Sequence, residues 1–332
     1  MQIIYYEKAV KDHPRTRQII DRVGRQALLI ECDNYQQVFN LKSQNFRIQK
    51  QQGPALILAH KNGKKVMPTP EGFGIGGEIN YYFSHILNCL YDCRYCFLQG
   101  MFPSAHYVVF VNYEEFAADI LQVLTENNGR PVYFFSGYDG DSLAFDSVTH
   151  FIEFFVPFFA GQPQGILELR TKSANVRPLL AQSPIGNSVV AFSFTPEAIS
   201  REIEHKVPPL EKRLQAMRQL AQAGWSLGLR FDPLIAAEGF ERLYQQLIEQ
   251  VFQCVPSASI HSVSVGPLRF PQKMYQKMVR LYPQEKLLAQ PLIKRGQCYS
   301  YQQPLEEQLK RTVINHLQKY IPSRLLFECS SL

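Results

Sequence analysis

The sequence predicts an α/β fold, a partial barrel of about six β/α units with N-terminal and C-terminal extensions. Three observations predict it. Apolar runs of strand length alternate with helical stretches between residues 79 and 268. Several of these runs end in glycine or charge, as strands leading into loops do. The units are too few to close an eight-fold barrel, so an open barrel fits better.

Residues 1–77 read as an N-terminal α/β extension. IIYYEKAV is a strand and TRQIIDRV a short amphipathic helix, and ALLIECD and ALILAHK are extended runs. KSQNFRIQKQQG is a basic, polar connection, and KNGKK carries an Asn-Gly turn. PTPEGFGIGG, at 68–77, is a Pro/Gly-rich loop that marks the boundary.

The barrel is expected over 78–275. INYYFSHI opens it as a strand and leads into a cysteine-rich loop. YEEFAADILQVLTENN has helical spacing, and PVYFFSG is a strand with a glycine exit. SVTHFIEFFVPFFA reads as a helix interrupted or bent at Pro157. GILELRTKS and SVVAFSFT are strands. PPLEKRLQAMRQLAQAGW is the clearest helix, with prolines in front and Gly224 behind. SLGLRFDPLI, GFERLYQQLIEQVFQCV and SIHSVSVGPL add a strand, a helix and a strand. Residues 276–332 form a C-terminal extension packed on the barrel. In it RGQCYSYQQP is a turn or hairpin and PLEEQLKRTVINHLQKY a closing helix.

The composition, 45% hydrophobic and 19% charged, is that of a soluble globular chain. A net charge of +6 permits a nucleic-acid or phosphate partner without requiring one. The N-terminus has charges from its first turn and is not a signal peptide. The longest apolar run, FIEFFVPFFA, is too short to span a bilayer and contains Glu153 and Pro157. A cytoplasmic protein without a membrane partner is expected. In that reducing compartment its seven cysteines are thiols or metal ligands rather than disulfides.

Three of them, Cys89, Cys93 and Cys96, stand as CxxxCxxC in NCLYDCRYCFLQG. Thiolates so clustered suit a soft metal or a cluster. Structural zinc wants four ligands, which His85, His106 or a distant cysteine would have to complete. A [4Fe–4S] cluster on three cysteines would keep one iron open to another ligand.

CxxxCxxC after the first strand of a partial barrel resembles the radical S-adenosylmethionine superfamily. With "ELRTKS", "AFSFTPE" and "LEKRLQAMRQLAQAGWSLGLRFDPLI" it is similar, over nearly the whole chain, to the spore photoproduct lyase family. The resemblance implies a [4Fe–4S] cluster and S-adenosylmethionine as cofactors. It implies a 5′-deoxyadenosyl radical that repairs a methylene-bridged thymine dimer in DNA, with the cofactor regenerated. It further implies a reducing electron donor of flavodoxin or ferredoxin type.

Residue by residue, the resemblance makes Cys89, Cys93 and Cys96 the cluster ligands. Lys172 matches the lysine that meets the carboxylate of S-adenosylmethionine. Ser193 matches a serine near the same cofactor, and Tyr95 the first of two radical-relay tyrosines. In "SGYDGDS", Asp139 or a backbone carbonyl would hold the cofactor's amino group, while Asp139 and Asp141 also suit turn formation. Two positions depart from the family. Tyr138 stands where the family has its hydrogen-donating cysteine, and Phe97 replaces the second tyrosine. A tyrosine O–H can also donate a hydrogen atom, so Tyr138 is a candidate replacement. The alternatives are a radical enzyme of this fold with another substrate, such as a different modified nucleotide, and a non-enzymatic zinc or nucleic-acid-binding protein.

A basic rim for DNA phosphates is expected from Arg47, Lys50, Lys61, Lys64, Lys65, Arg269, Lys273, Lys277, Arg280, Lys294 and Arg295. Tyr299 and Tyr301 are candidates to stack on a base or fill the gap left by a flipped lesion.

Overall fold

The structure is a computed structural model that describes residues 2–42, 44–70 and 72–329. Its larger sheet has eight strands. Six of them run in chain order: β1 (Ile79–Phe83), β2 (Val132–Ser136), β3 (Gly165–Thr171), β4 (Ser188–Ser193), β5 (Ser226–Leu234) and β6 (Ile260–Pro267). Each pairs in parallel with the next. Val66–Pro68 borders β1 in antiparallel sense and Leu326–Glu328 borders β6 in parallel. The sheet is therefore an open half-barrel, as the alternation of runs predicts.

Burial explains the elements. Every residue of β4 is buried, so SVVAFS reads as a continuous run rather than an alternating one. Helices Tyr113–Glu126, Phe151–Ala160, Leu210–Gln222 and Phe240–Cys254 connect successive strands and cover the sheet. The last buries Phe240, Tyr244, Leu247, Ile248 and Val251, one stripe at helical spacing. Between β3 and β4 only the short helix Arg177–Leu180 intervenes.

A second sheet of five strands has the order Leu28–Cys32, Ile3–Glu7, Leu56–Ala59, Tyr107–Phe110, Ile86–Leu87. Its last two strands pair antiparallel and come from either side of the cysteine loop. The N-terminal region thus clamps both ends of that loop, and the sheet draws strands from both sides of residue 77.

Two local expectations change. KSQNFRIQKQQG contains a helix, Phe46–Gln52, whose start is capped where Asn45 Oδ1 accepts from Ile48 N at 3.0 Å. Pro157 does not interrupt its helix, which runs from Phe151 to Ala160. Phe151, Phe155 and Phe159 are all buried on one face and hold that helix to the sheet. The C-terminal RGQCYSYQQP does form a hairpin, Ile293–Arg295 against Cys298–Ser300. Among the described residues, no helix is long and apolar enough to cross a membrane.

Candidate active site

The cysteine loop starts at Asn88, whose φ of 69° lies in the left-handed region that asparagine tolerates better than most residues. Its side chain donates to Ser104 O at 2.8 Å and to His106 O at 2.7 Å, closing the base of the loop. Midway, Asp92–Cys93 pairs antiparallel with Glu204–His205, with Cys93 opposite Glu204. A tight turn then links Cys96 N to Cys93 O at 3.1 Å. Helix Gln272–Leu281 and the residue after it pack against the end of this loop. A side chain at Gly100 would collide with the Met274 backbone, and Tyr282 donates to Gln99 at 2.9 Å.

Facing this loop are the carboxyl ends of the barrel strands. Lys172 follows the last residue of β3 and Ser193 is the last residue of β4. Asp141 fixes the first of these. Its Oδ2 accepts from Lys172 N at 2.7 Å, while Oδ1 accepts from Thr171 Oγ1 at 2.7 Å and from Leu143 N at 3.0 Å. The loop can take this path because Gly137 has φ +84° and because Gly140 lies against Ile86 and the Asn88 carbonyl, where a Cβ would clash. Asp141 is thus the turn former that its sequence context suggested, and it also orients the strand end.

The thiols, Lys172, Ser193, Tyr95 and Tyr138 line one cavity of about 310 Å³. Asp139 is not among the residues that line this cavity. Its buried carboxylate faces Ser84 and Lys61 instead, and burial raises its pKa. The reason is the turn itself: with Asp141 pulled under β3, Asp139 two residues earlier points elsewhere.

Behind two lining residues, Tyr95 and Lys172, lies Glu204, a residue the sequence motifs did not mark. Its carboxylate is fully buried and accepts from Tyr95 OH at 2.5 Å, Ser200 Oγ at 2.5 Å and Lys172 Nζ at 3.0 Å. Arg213 Nη2 is 3.5 Å away. Burial alone would raise the Glu204 pKa, but Lys172, Arg213 and the two hydroxyl donors bring it down to about 2. Two cations therefore share one carboxylate. The surplus positive charge faces the cavity through Lys172 and suits an incoming carboxylate.

Tyr138 sits among aromatic rings, with centroids at 4.4 Å from Tyr82, 5.6 Å from Phe97 and 6.1 Å from Phe73. Burial raises its pKa, so the O–H is retained. Cys298, from the C-terminal hairpin, lines the same cavity and its thiol too is raised by burial. Of the scattered cysteines, only Cys298 shares this lining with the three clustered ones. Arg269 also lines it and pairs with Asp232 at 3.4 Å.

The expected basic rim is partly redirected. Lys65 is buried and pairs with Glu115 at 3.1 Å. Lys50 turns inward to donate to Cys89 O at 3.3 Å, and Arg295 pairs with Glu306 at 2.8 Å. Arg47, Lys64, Lys273, Arg280 and Lys294 remain exposed. Tyr301 is buried, its hydroxyl accepting from Ala236 N and donating to Gln290, so it is not free to stack on a base. Tyr299 stacks on Tyr275 at 4.5 Å.

Cys89, Cys93 and Cys96 are free thiols that line one cavity, and such a donor set would suit a soft metal or a cluster.

The family model described as spore photoproduct lyase matches residues 1–327. The spore photoproduct lyase of Bacillus subtilis (strain 168) is 23% identical over 97% of this chain and 96% of its own. That of Geobacillus sp. (strain Y412MC61) is 21% identical, again over 97% and 96%. Among solved structures, a substituted spore photoproduct lyase with bound AdoMet and dinucleoside spore photoproduct has a TM-score of 0.83 at 20% identity. It covers 100% of this chain and 98% of that one. A complex with the dinucleoside spore photoproduct has a TM-score of 0.84, covering 99% and 98%. The half-barrel and the match over residues 1–327 lead to one conclusion: this chain belongs to the spore photoproduct lyase family.

Proposed function

We propose that the chain is a radical S-adenosylmethionine enzyme that repairs a thymine dimer photoproduct in DNA. The observation that carries this reading is the single cavity that joins three free thiols to Lys172, Ser193 and Tyr138. A [4Fe–4S] cluster with S-adenosylmethionine supplies a 5′-deoxyadenosyl radical when bound. In this reading Cys89, Cys93 and Cys96 hold the cluster and leave one iron for the cofactor. Lys172 receives the cofactor's carboxylate, and Ser193 offers a hydrogen bond beside it. The apolar walls from Phe73, Phe97 and Phe135 limit water, which protects a radical from quenching.

The exposed Arg47, Lys64, Lys273, Arg280 and Lys294 support phosphate contacts with the DNA strand. We further read 78–275 as the catalytic unit, with 1–77 and 276–332 as extensions that brace it. A flavodoxin- or ferredoxin-type donor for the cluster and a cytoplasmic location belong to the same reading.

The test is anaerobic reconstitution followed by assay on a dinucleoside photoproduct. The expected result is a brown, four-iron protein that cleaves S-adenosylmethionine and releases two thymidine units. Cofactor cleavage without lesion reversal would overturn the substrate assignment. One zinc and no iron would overturn the radical assignment.

A second reading, another modified nucleotide as substrate, is favoured by Tyr138 and Phe97 at the two altered positions. Hydrogen-atom return separates the readings. Tyr138→Phe is expected to let lesion consumption continue while incompletely repaired side product rises about threefold or more. Tyr138→Cys is expected to lower that side product, because a thiol S–H gives up hydrogen more readily than a phenol. Cys298→Ala is the comparison, since its thiol lines the same cavity. If Cys298→Ala changes the product ratio and Tyr138→Phe does not, the donor is Cys298.

A further inference from the structure

We infer that Glu204 is the positioning residue of the cofactor pocket, and that Tyr95 works through it as a tether rather than as a hydrogen-atom relay. The inference rests on the radical reading above and assigns a role that the family pattern does not give this tyrosine.

Four side chains converge on the Glu204 carboxylate, and its backbone makes a fifth link. Glu204 pairs through its backbone with Cys93, which ties it to the cysteine loop. Oε1 accepts from Tyr95, on the same loop, and from Lys172 at the end of β3. Oε2 accepts from Ser200, on the helix Glu197–Ile203 that precedes it. It also faces Arg213, from helix Leu210–Gln222, whose Nη1 donates to Ser193 O at 3.0 Å. The groups proposed to hold cluster and cofactor are thereby registered against each other through one buried side chain. Losing the carboxylate leaves Lys172 and Arg213 without their shared counter-charge, so the ammonium no longer has a fixed direction.

The same geometry separates the two cavity tyrosines. Tyr95 lines the cavity and donates its hydroxyl hydrogen to Glu204. Lys172 Nζ lies 5.5 Å over that ring, a second contact that holds it in place. Tyr138 differs: its contacts are with aromatic rings, and among the described residues its hydroxyl makes no hydrogen bond. A phenol already bound to a carboxylate gives up that bond to release a hydrogen atom, whereas one without a partner does not.

The experiment uses the reconstituted holoenzyme and two readouts. One is the equilibrium affinity for S-adenosylmethionine. The other is the distribution of deuterium between repaired product and recovered cofactor, starting from labelled lesion. Glu204→Gln is expected to weaken S-adenosylmethionine about tenfold, the scale of one charge-assisted hydrogen bond, with the deuterium distribution unchanged. Tyr95→Phe is expected to weaken it about threefold, again with the distribution unchanged. Tyr95→Phe also serves if Glu204→Gln does not fold. Wild-type affinity in both variants overturns the positioning role. A deuterium distribution altered by Tyr95→Phe overturns the tether and restores the relay. Failure of the wild-type protein to bind S-adenosylmethionine sinks the underlying radical reading instead.

Discussion

Cys93→Ala yields a folded protein without iron and without cofactor cleavage. The backbone of Cys93 keeps its pairing with Glu204, and the loop ends stay clamped between Ile86–Leu87 and Tyr107–Phe110. Removing one sulfur from a buried position costs stability on the order of 1 kcal/mol, too little to unfold the chain. The chemical loss is far larger. Burial raises the pKa of Cys89, Cys93 and Cys96, so each becomes a thiolate only when a metal centre offsets the desolvation. Three thiolates would leave one iron of a [4Fe–4S] cluster for the cofactor, and two would leave a second iron without any protein ligand. Activity is expected below about 0.1% of wild type, because radical production has no second route. Iron and sulfide analysis with circular dichroism checks the result. Cys254→Ala, at the end of helix Phe240–Cys254, is expected to keep its iron. An iron-replete, active Cys93→Ala variant would remove this cysteine from the site.

Much of the barrel is legible because strand-length apolar runs have few other stable fates. β4 is buried along its whole length and reads as such. Lys172 and Ser193 are named by the family resemblance, and both stand where apolar runs end, which parallel sheets gather on one face. Glu204 is not legible. It lies in IEHKV, with nothing in its neighbourhood to mark it, and its role arises from pairing with Cys93 across more than a hundred residues. Asp139 and Asp141 show a finer limit. Both stand beside glycine in one short loop, and only the left-handed turn at Gly137 decides which carboxylate reaches β3. Tyr107–Phe110 is missed because it joins a sheet whose other strands lie mostly before residue 77. Tyr301 misleads because an aromatic in a charged tail reads as exposed, whereas its hydroxyl satisfies Ala236 N in the interior.

Arg230→Met is expected to be the most destabilising single change in the barrel. Arg230 and Glu168 are both fully buried and form a paired contact, Nη2 to Oε2 at 2.8 Å and Nε to Oε1 at 3.2 Å. Arg230 also donates from Nη1 to Ser262 O at 3.0 Å and from Nη2 to Ser262 Oγ at 2.9 Å. One guanidinium thus joins β3, β5 and β6. Gly228 makes room for it, since a Cβ there would lie 2.7 Å from Nη2. Burial would push Glu168 up, yet Arg230 and Arg170 hold its pKa below the usual carboxylate range. Methionine fills similar space but leaves Glu168 with Arg170 alone, at 3.1 Å and partly exposed to the cavity. Breaking one half of a buried pair costs about 3–5 kcal/mol, which for a chain of this size lowers the melting temperature by about 4–7 °C. The double variant Glu168→Leu/Arg230→Met removes both charges and is expected to recover about half of the loss, because an apolar pair needs no counter-ion. Thermal unfolding of the cluster-free protein measures both. A loss below about 1 kcal/mol in Arg230→Met would mean that Arg170 already satisfies Glu168.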